Sequence, residues 1–465
     1  MSRKLAALQA TTHTRRIRQE ERAGAEGRPV RDSFLGIKLP RSAPDLPTTK
    51  LRCGLTIGGA TATLFLALTV TVEALANPAL LSWARESASL TQDAVAKKVG
   101  VKVDRIRAWE AGQERPSVAQ LRSFASATKR PLAVFYLSEP PLTFNALHDF
   151  RAATGNDVSP PTTPELAFEI RKAYDRREWA LELVADLQLV PASFDVRVQL
   201  SDDPEISASN IRAALGVQTE MQSQWTVDYE AFREWRSLLE RSGILTFQAT
   251  DLEVEEARGF SISLKPLPAV VVNIKDAYRG RIFTLLHEAT HIALNEGGIC
   301  DLDDNQRRNA SAQIEAYCNR VAGAILFPRN ALLATNELRS HRSADMTWSD
   351  AEIQSLSRKF GGSREALLVR LLSLGRTNEK FYYKKRDAYR IEYAKRRDQR
   401  KEGFAPPHVV SLSSAGPLFT TLVMENFNRE HITASDVSDY LRVRVKHLPE
   451  IQRDYARPEL VGQGE

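Results

Sequence analysis

Two histidines four residues apart, with a glutamate beside the first, are the residues of this chain best placed for chemistry. They lie in the run His287, Glu288, Ala289, Thr290, His291. On a helix, positions i and i+4 share one face, so both imidazoles could bind one metal ion. Glu288 would lie beside that ion, where it could take a proton from a water molecule. The alternative is a chance pattern in which the histidines are only hydrogen-bonded core residues.

A candidate third ligand favours the metal site. Catalytic zinc usually takes three protein ligands and leaves a fourth position for water. Residues 312–327 predict a second apolar helix, which ends before Pro328 and carries Glu315 among small residues. Asn319 lies one turn further on the same face and could hydrogen-bond the outer nitrogen of a ligand histidine. For Glu315 the alternative is a solvated surface carboxylate. Together the two helices predict a zinc site made of His287, His291 and Glu315.

These motifs resemble those of the ImmA/IrrE family of metallopeptidases. The similarity is carried by residues 281–291, by Glu315 with Asn319, and by Leu326-Phe327-Pro328, and it covers roughly residues 225–375. The resemblance implies a small gluzincin-like fold with zinc as the cofactor and Glu288 as the general base. It also implies a protein substrate, a repressor or antitoxin-like regulator, whose cleavage changes transcription.

Three short segments before the histidines predict the strands of such a domain. Residues 243–248, 259–264 and 269–273 are rich in β-branched residues. The resemblance implies that the last of them, through residues 270–273, presents its edge to the substrate backbone. No oxyanion donor can be identified, since Tyr278 and Arg281 are close to the histidines only in sequence.

Residues 79–137 have the pattern of a helix-turn-helix. Two predicted helices, starting after Thr91 and at Lys102, are each followed by a glycine, at Gly100 and Gly112. Their residues resemble the Xre-type, lambda-repressor-like domain, through Gln92, Gly100, Ile106, Trp109, Glu110, Gly112 and Pro116.

If this domain binds DNA, its second helix enters the major groove. Lys102, Arg105 and Arg107 would then face phosphates or base edges, and Gln92 would contact the backbone or a base. Asp104 and Glu110 dilute the positive charge, so a protein–protein role is the alternative. Tight specific binding would need a dimer, and a homodimer is therefore possible.

The excess positive charge of the chain lies in its first 52 residues. The formal net charge is +6, and residues 1–52 hold twelve Lys/Arg against five Asp/Glu. This segment is predicted to be a disordered leader or the product of an overextended gene start. Residues 53–72 carry no charge and are long enough for a membrane span, but their threonines and glycines make a membrane anchor or export signal the weaker hypotheses. Three unpaired cysteines agree with a cytoplasmic protein.

The sequence therefore predicts an α+β protein that is predominantly helical. Residues 353–371 suggest a second helix-turn-helix or a packing pair, and residues 384–401 a basic helix with nucleic-acid contact as one option. The predicted order is a leader at 1–76, the helix-turn-helix at 77–137, a linker and helical region at 138–224, the zinc peptidase domain at 225–375 and a helical region at 376–465. The leading hypothesis is a cytoplasmic zinc endopeptidase linked to a DNA-binding domain. The alternative is a transcriptional regulator with a sensing or structural zinc site and no proteolysis.

Overall fold

A computed structural model describes residues 50–57, 60–67, 73–88, 90–140, 163–294, 304–341, 346–398 and 405–455. The chain divides into two compact units, Met1–Thr71 and Val72–Glu465. The second unit contains all the helices named below. Its sheet is small, and the fold is α+β and predominantly helical, as the sequence predicted.

In the first unit, the described residues form a pair of antiparallel strands. β1 (Lys50–Ile57) pairs with β2 (Ala60–Ala67), with Ile57 opposite Ala60. The described part of the uncharged stretch is therefore extended chain, and not the membrane-spanning helix weighed for residues 53–72. No helix among the described residues is long and apolar enough to cross a membrane. The predicted disordered leader, through residue 49, lies outside the described residues.

The second unit begins with a four-helix domain. Its helices are α1 (Pro78–Ser87), α2 (Gln92–Val99), α3 (Val103–Glu110) and α4 (Val118–Ala127), followed by a 3-10 turn at Leu132–Tyr136. Thr91 caps α2 by accepting a hydrogen bond from the backbone N–H of Ala94 at 3.2 Å. Gly100 ends α2 with a φ of 77°, which a residue with a side chain rarely adopts. Trp109 and Phe124 are fully buried in the core of the domain. The predicted helix-turn-helix is therefore present.

The remainder of the unit is built around one three-stranded sheet. Four helices precede or flank its first strand: α5 (Pro164–Asp186), α6 (Pro204–Ala214), α7 (Thr219–Ser223) and α8 (Asp228–Arg241). The strands are β3 (Leu245–Ala249), β4 (Gly259–Ile262) and β5 (Ala269–Asn273). The helices that follow are α9 (Tyr278–Leu294), α10 (Asp304–Leu326), α11 (Arg329–Leu333), α12 (Asn336–Ser340), α13 (Asp350–Lys359), α14 (Arg364–Ser373), α15 (Glu379–Asp398), α16 (Pro407–Ala415), α17 (Pro417–Asn428), α18 (Ala434–Leu441) and α19 (Leu448–Tyr455).

The strand order corrects one expectation. The order is β3-β5-β4, with β5 parallel to β3 and antiparallel to β4. Residues 270–273 thus lie in the central strand and pair on both sides, so they have no edge for a substrate. Among the described strands, the unpaired edge next to α9 belongs to β4. Strand order depends on contacts between distant segments, and the composition of a strand does not specify it.

Both faces of the sheet are covered by helices. Successive side chains of a strand point to opposite faces. Val270 and Val272 of β5 belong to one core with α9 and α10, whereas Val271 shares a second core with Phe247 and Phe419. The first core includes α6 and α8, and the second includes α5 and the helices from α16 to α19. The helices predicted as linker and C-terminal regions therefore complete the cores around the three-stranded sheet.

The segment that resembled a second helix-turn-helix packs into the first core. Ile353 and Leu356 of α13, and Leu367 and Leu371 of α14, are completely buried. Gly362, between these helices, lies so close to the ring of Phe327 that a Cβ would overlap it. These contacts favour the packing interpretation of residues 353–371.

The approach of β4 to α9 generates a stability prediction. A Cβ at Gly259 would lie 2.5 Å from Thr284 Cγ2 and 2.6 Å from the carbonyl oxygen of Val271. Gly259→Ala should therefore push β4 away from α9 and lower the unfolding free energy by about 1–3 kcal/mol. Gly323→Ala is the matched control, since a Cβ there meets nothing within 4 Å, and a helical alanine should add up to about 1 kcal/mol. Urea unfolding followed by tryptophan fluorescence measures both, and equal stability of the two variants would contradict the predicted packing.

Candidate metal centre and helix-turn-helix

Both histidines of the predicted motif lie partly buried on α9, a helix that is otherwise largely buried. Its apolar residues are almost completely buried, among them Ile282, Leu285, Leu286, Ala289, Ile292 and Ala293. A helix that is apolar on nearly every side must lie within a core. Thr290, also on α9, donates from its hydroxyl to the carbonyl oxygen of Leu286 at 2.8 Å. The surrounding packing therefore fixes the directions of the polar side chains on α9.

The side chains of His287, His291 and Glu315 converge on one point. The Nε2 atoms of the two histidines are 3.0 Å apart. Oε2 of Glu315 lies 3.2 Å from Nε2 of His287, and its Oε1 lies 3.3 Å from Nε2 of His291. A tetrahedral zinc ion, with bonds of about 2.0–2.1 Å, separates its ligand atoms by about 3.3 Å. Within the described part of the chain, this is the group of His, Cys, Asp or Glu side chains whose ligand atoms could hold a metal ion.

The electrostatics of this point favour a cation. Hydrogen bonds from His287 and then His291 hold the pKa of Glu315 well below its ordinary value. Burial opposes protonation of His291, but hydrogen bonds with Cys318 and Glu315 raise the pKa of its imidazole to about 11. Lone pairs of three ligand atoms this close together repel one another unless a positive charge lies among them. Either a proton or a metal ion meets that requirement, so the three residues fit a metal ion both in spacing and in charge.

Glu288 is held by a residue that the sequence analysis missed. Glu288 is 8% exposed, and its Oε2 accepts a hydrogen bond from the hydroxyl of Ser261 at 2.8 Å. Ser261 lies on β4, the edge strand that packs on α9. A serine in a short strand gives no local signal of such a contact, because β4 and α9 meet only in the folded chain.

The residue that contacts a candidate ligand histidine is Cys318, whereas the sequence predicted Asn319. Asn319 is exposed one turn after Glu315, and Nδ1 of His287 is buried with no hydrogen-bond partner among the described residues. The role of Asn319 therefore remains a prediction. The thiol that contacts His291 is that of Cys318, which is completely buried and whose pKa is raised by burial.

Arg281 has a structural role at the start of α9. Its Nε donates to the carbonyl oxygen of Asp276 at 2.8 Å, and its Nη1 donates to Oε1 of Gln248 at 2.9 Å. Its guanidinium also lies 4.5 Å from the centre of the Tyr278 ring. These contacts fasten the loop after β5 to β3, and they position the start of the helix that carries the histidines.

The helix-turn-helix places the predicted DNA-binding residues on and beside α3. Lys102 is exposed at the N-terminal cap of α3. Arg105 and Arg107 are exposed and form ion pairs, Arg105 with Glu114 at 3.3 Å and Arg107 with Asp104 at 3.1 Å. Their long side chains remain at the surface, where such pairs are weak and can be exchanged for phosphates.

Gln92 and Glu110 belong to a polar network behind that surface. Gln92 donates from Nε2 to Oε2 of Glu110 at 2.8 Å, and its Oε1 accepts from Nε of Arg107 at 3.3 Å. Glu110 is also paired with Arg85 at 2.6 Å, and its side chain is only 7% exposed. Its negative charge is therefore neutralised inside the domain and dilutes the positive surface less than the sequence suggested.

Comparison with known protein families finds two matches in the chain. Residues 81–135 match the family model described as helix-turn-helix, and residues 239–372 match the model of the IrrE N-terminal-like domain, a peptidase family. No curated protein and no solved structure shows a significant match to the chain. The order of the two domains is the one that the sequence motifs predicted. The chain therefore contains a segment, residues 81–135, that is similar to helix-turn-helix domains, followed by a segment, residues 239–372, that is similar to the IrrE N-terminal-like domain of a metallopeptidase-type family.

Proposed function

We propose that this protein is a zinc-dependent endopeptidase whose helix-turn-helix binds DNA and whose substrate is a repressor or antitoxin-like regulator of transcription. The observation that carries the proposal is the convergence of His287, His291 and Glu315 within 3.3 Å of one another, beside a buried Glu288. In this proposal the three residues hold the metal through Nε2, Nε2 and a carboxylate oxygen. A purely structural metal site would have no use for a buried glutamate next to the ligands.

The proposed chemistry gives Glu288 the proton transfers. A bound zinc ion supplies Lewis-acid activation of a water molecule and of the peptide carbonyl. Glu288 takes a proton from the water molecule while the water oxygen attacks the carbonyl carbon of the peptide. When the C–N bond breaks, Glu288 gives that proton to the leaving amine. Ser261, by donating to Oε2, leaves Oε1 as the oxygen free to act and limits rotation of the carboxylate.

The substrate is proposed to lie along β4. Its partner among the described strands is β5, so its other edge is not used in the sheet. An extended peptide can add to such an edge through backbone hydrogen bonds. Because Ser261 lies on this strand and contacts Glu288, a peptide bound there would run beside the proposed base.

The central prediction concerns Glu288. Glu288→Gln removes the base but leaves the three ligand candidates intact, so we expect cleavage to fall by about 10²–10⁴-fold while the zinc content stays at that of the wild type. Glu315→Ala should instead lose zinc. Elemental analysis of purified proteins measures the metal, and mass spectrometry of new protein N-termini in cells measures cleavage.

The same variant separates the two functional hypotheses. Tagged Glu288→Gln should retain an uncut substrate that co-purifies with it, and cells carrying it should lose the regulated transcriptional response. If transcription responds as in the wild type although Glu288→Gln is present, a sensing or structural zinc site without proteolysis becomes the better account.

A second prediction concerns Ser261 as a positioning residue. Ser261→Ala removes a hydrogen bond to a charged group, which is worth a loss of about 10–100-fold in kcat, with KM for the captured substrate nearly unchanged. Ser261→Thr keeps the hydroxyl and suits a strand, so it should restore most of the rate. If kcat were equally low in Ser261→Ala and Ser261→Thr, the hydrogen bond from the hydroxyl to Glu288 would not be the cause of the lower rate.

A third prediction concerns DNA. Lys102 is exposed at the start of α3, and a phosphate contact there would be independent of sequence. Lys102→Gln should weaken binding to all duplexes to a similar degree and reduce the slope of log K against log salt by about 1. Lys446→Gln, a charge loss at an exposed position outside the domain, is the control for fluorescence anisotropy titrations. An unchanged salt slope for Lys102→Gln would show that Lys102 does not contact a phosphate.

A further inference from the structure

The long helix α15 contacts the rest of the fold along one side. Tyr389 is buried on that side, and its hydroxyl donates to Oδ1 of Asp350, at the start of α13, at 3.1 Å. Arg364, at the start of α14, pairs with Glu392 at 2.6 Å. These contacts fasten α15 to α13 and α14, so one side of the helix has a structural role.

The opposite side of α15, here called the outer face, is exposed to solvent. On a helix, residues at spacings of three and four share one side. From the first lysine of α15 onward, the six residues of this side are all exposed: Lys380, Tyr383, Lys384, Asp387, Ala388 and Ile391. Tyr383 is 47% exposed and Ile391 is 59% exposed. No described part of the chain therefore covers the outer face.

α15 also concentrates positive charge. Residues 379–398 hold eight Lys/Arg against four Asp/Glu, whereas the chain from residue 53 onward holds 52 Lys/Arg against 53 Asp/Glu. A helix face that only meets solvent typically alternates charges of opposite sign. On the outer face Lys380 and Lys384 are four residues apart, and like charges at this spacing destabilise a helix. Such an arrangement favours a partner that supplies negative charge.

The acidic residues of α15 with described side chains do not neutralise these lysines. Glu392 pairs with Arg364 of the neighbouring helix, and Asp387 pairs with Arg386 at 3.1 Å. Among the described residues, Lys380 and Lys384 have no ion-pair partner. Two ammonium groups on the outer face are therefore available to an external anion.

Tyr383 adds a group that can contact phosphate. The guanidinium of Arg386 lies 4.7 Å from the centre of its ring, and the ring of Tyr382 lies 5.2 Å away. These neighbours hold the ring while nearly half of its surface stays in solvent. Lysine and tyrosine side chains are among the groups that contact the phosphates of DNA. A membrane surface would instead need a wide apolar stripe, and Ile391 is the single large aliphatic residue of the outer face.

We propose that the outer face of α15 binds the phosphate backbone of double-stranded DNA, as a second contact beside that of the helix-turn-helix. This inference rests on the proposed DNA binding by residues 81–135. Both elements belong to one compact unit, and a duplex bound by one of two linked sites is at high effective concentration for the other. Backbone contacts carry no sequence information. α15 therefore raises the affinity for DNA without changing which sequence is recognised.

The salt dependence of DNA binding tests this contact, because each neutralised phosphate contributes about 0.9 to the slope of log K against log salt. In full-length protein, Lys380→Gln combined with Lys384→Gln should reduce the slope by about 1.8 and weaken binding to duplexes of unrelated sequence to a similar degree. Arg444→Gln combined with Lys446→Gln is the matched control, since it removes two exposed charges after α18. Fluorescence anisotropy titrations measure the slopes, and circular dichroism verifies the fold of each variant.

A slope that falls in the α15 variant and stays at the wild-type value in the control supports the contact. Equal slopes in the wild type and the α15 variant overturn it, as does the same decrease in both double variants, which would reflect net charge alone. The proposed helix-turn-helix function is tested separately by Lys102→Gln in the same titrations. If Lys102→Gln lowers the slope and the α15 variant does not, only the α15 contact fails. If the wild type binds no duplex, both proposals fail.

Two other polyanions serve as comparison ligands. Single-stranded DNA of equal length and vesicles with anionic lipids are titrated with the wild type and the α15 variant. If the α15 variant loses affinity for either of these and keeps the wild-type salt slope on duplex DNA, the outer face serves a different partner and the proposal is wrong.

Discussion

The packing of α9 against α10 is the contact on which the proposed chemistry depends. Neither helix alone holds more than two of the ligand candidates, and Glu315 reaches the histidines only because buried side chains such as Cys318 and Val321 fix α10 beside α9. Bringing the two Nε2 atoms and the carboxylate oxygens of Glu315 to separations of 3.0 to 3.3 Å costs free energy in the absence of a cation. The large apolar core around these helices offsets that cost, which is why a buried helix can carry polar residues on one face.

The sequence predicted the local parts of this arrangement and missed the parts that depend on tertiary contacts. The spacing of His287 and His291 follows from the helical repeat, and the strand segments follow from β-branched composition. The order of the strands, with β5 in the centre, did not follow. The contacts of Ser261 with Glu288 and of Cys318 with His291 also join segments far apart in sequence. These are the contacts that orient the candidate site, so the helical spacing of the candidate ligands followed from the sequence while their orientation did not.

In the helix-turn-helix, counting charges along the sequence gave a misleading picture of the surface. Glu110 counted against DNA binding, yet its charge is paired with Arg85 inside the domain and is bound by Gln92. The arginine that closes this network, Arg107, remains exposed. A buried carboxylate can therefore orient an exposed arginine through a glutamine, while its own charge stays paired inside the domain. The role of an acidic residue in such a helix depends on its burial.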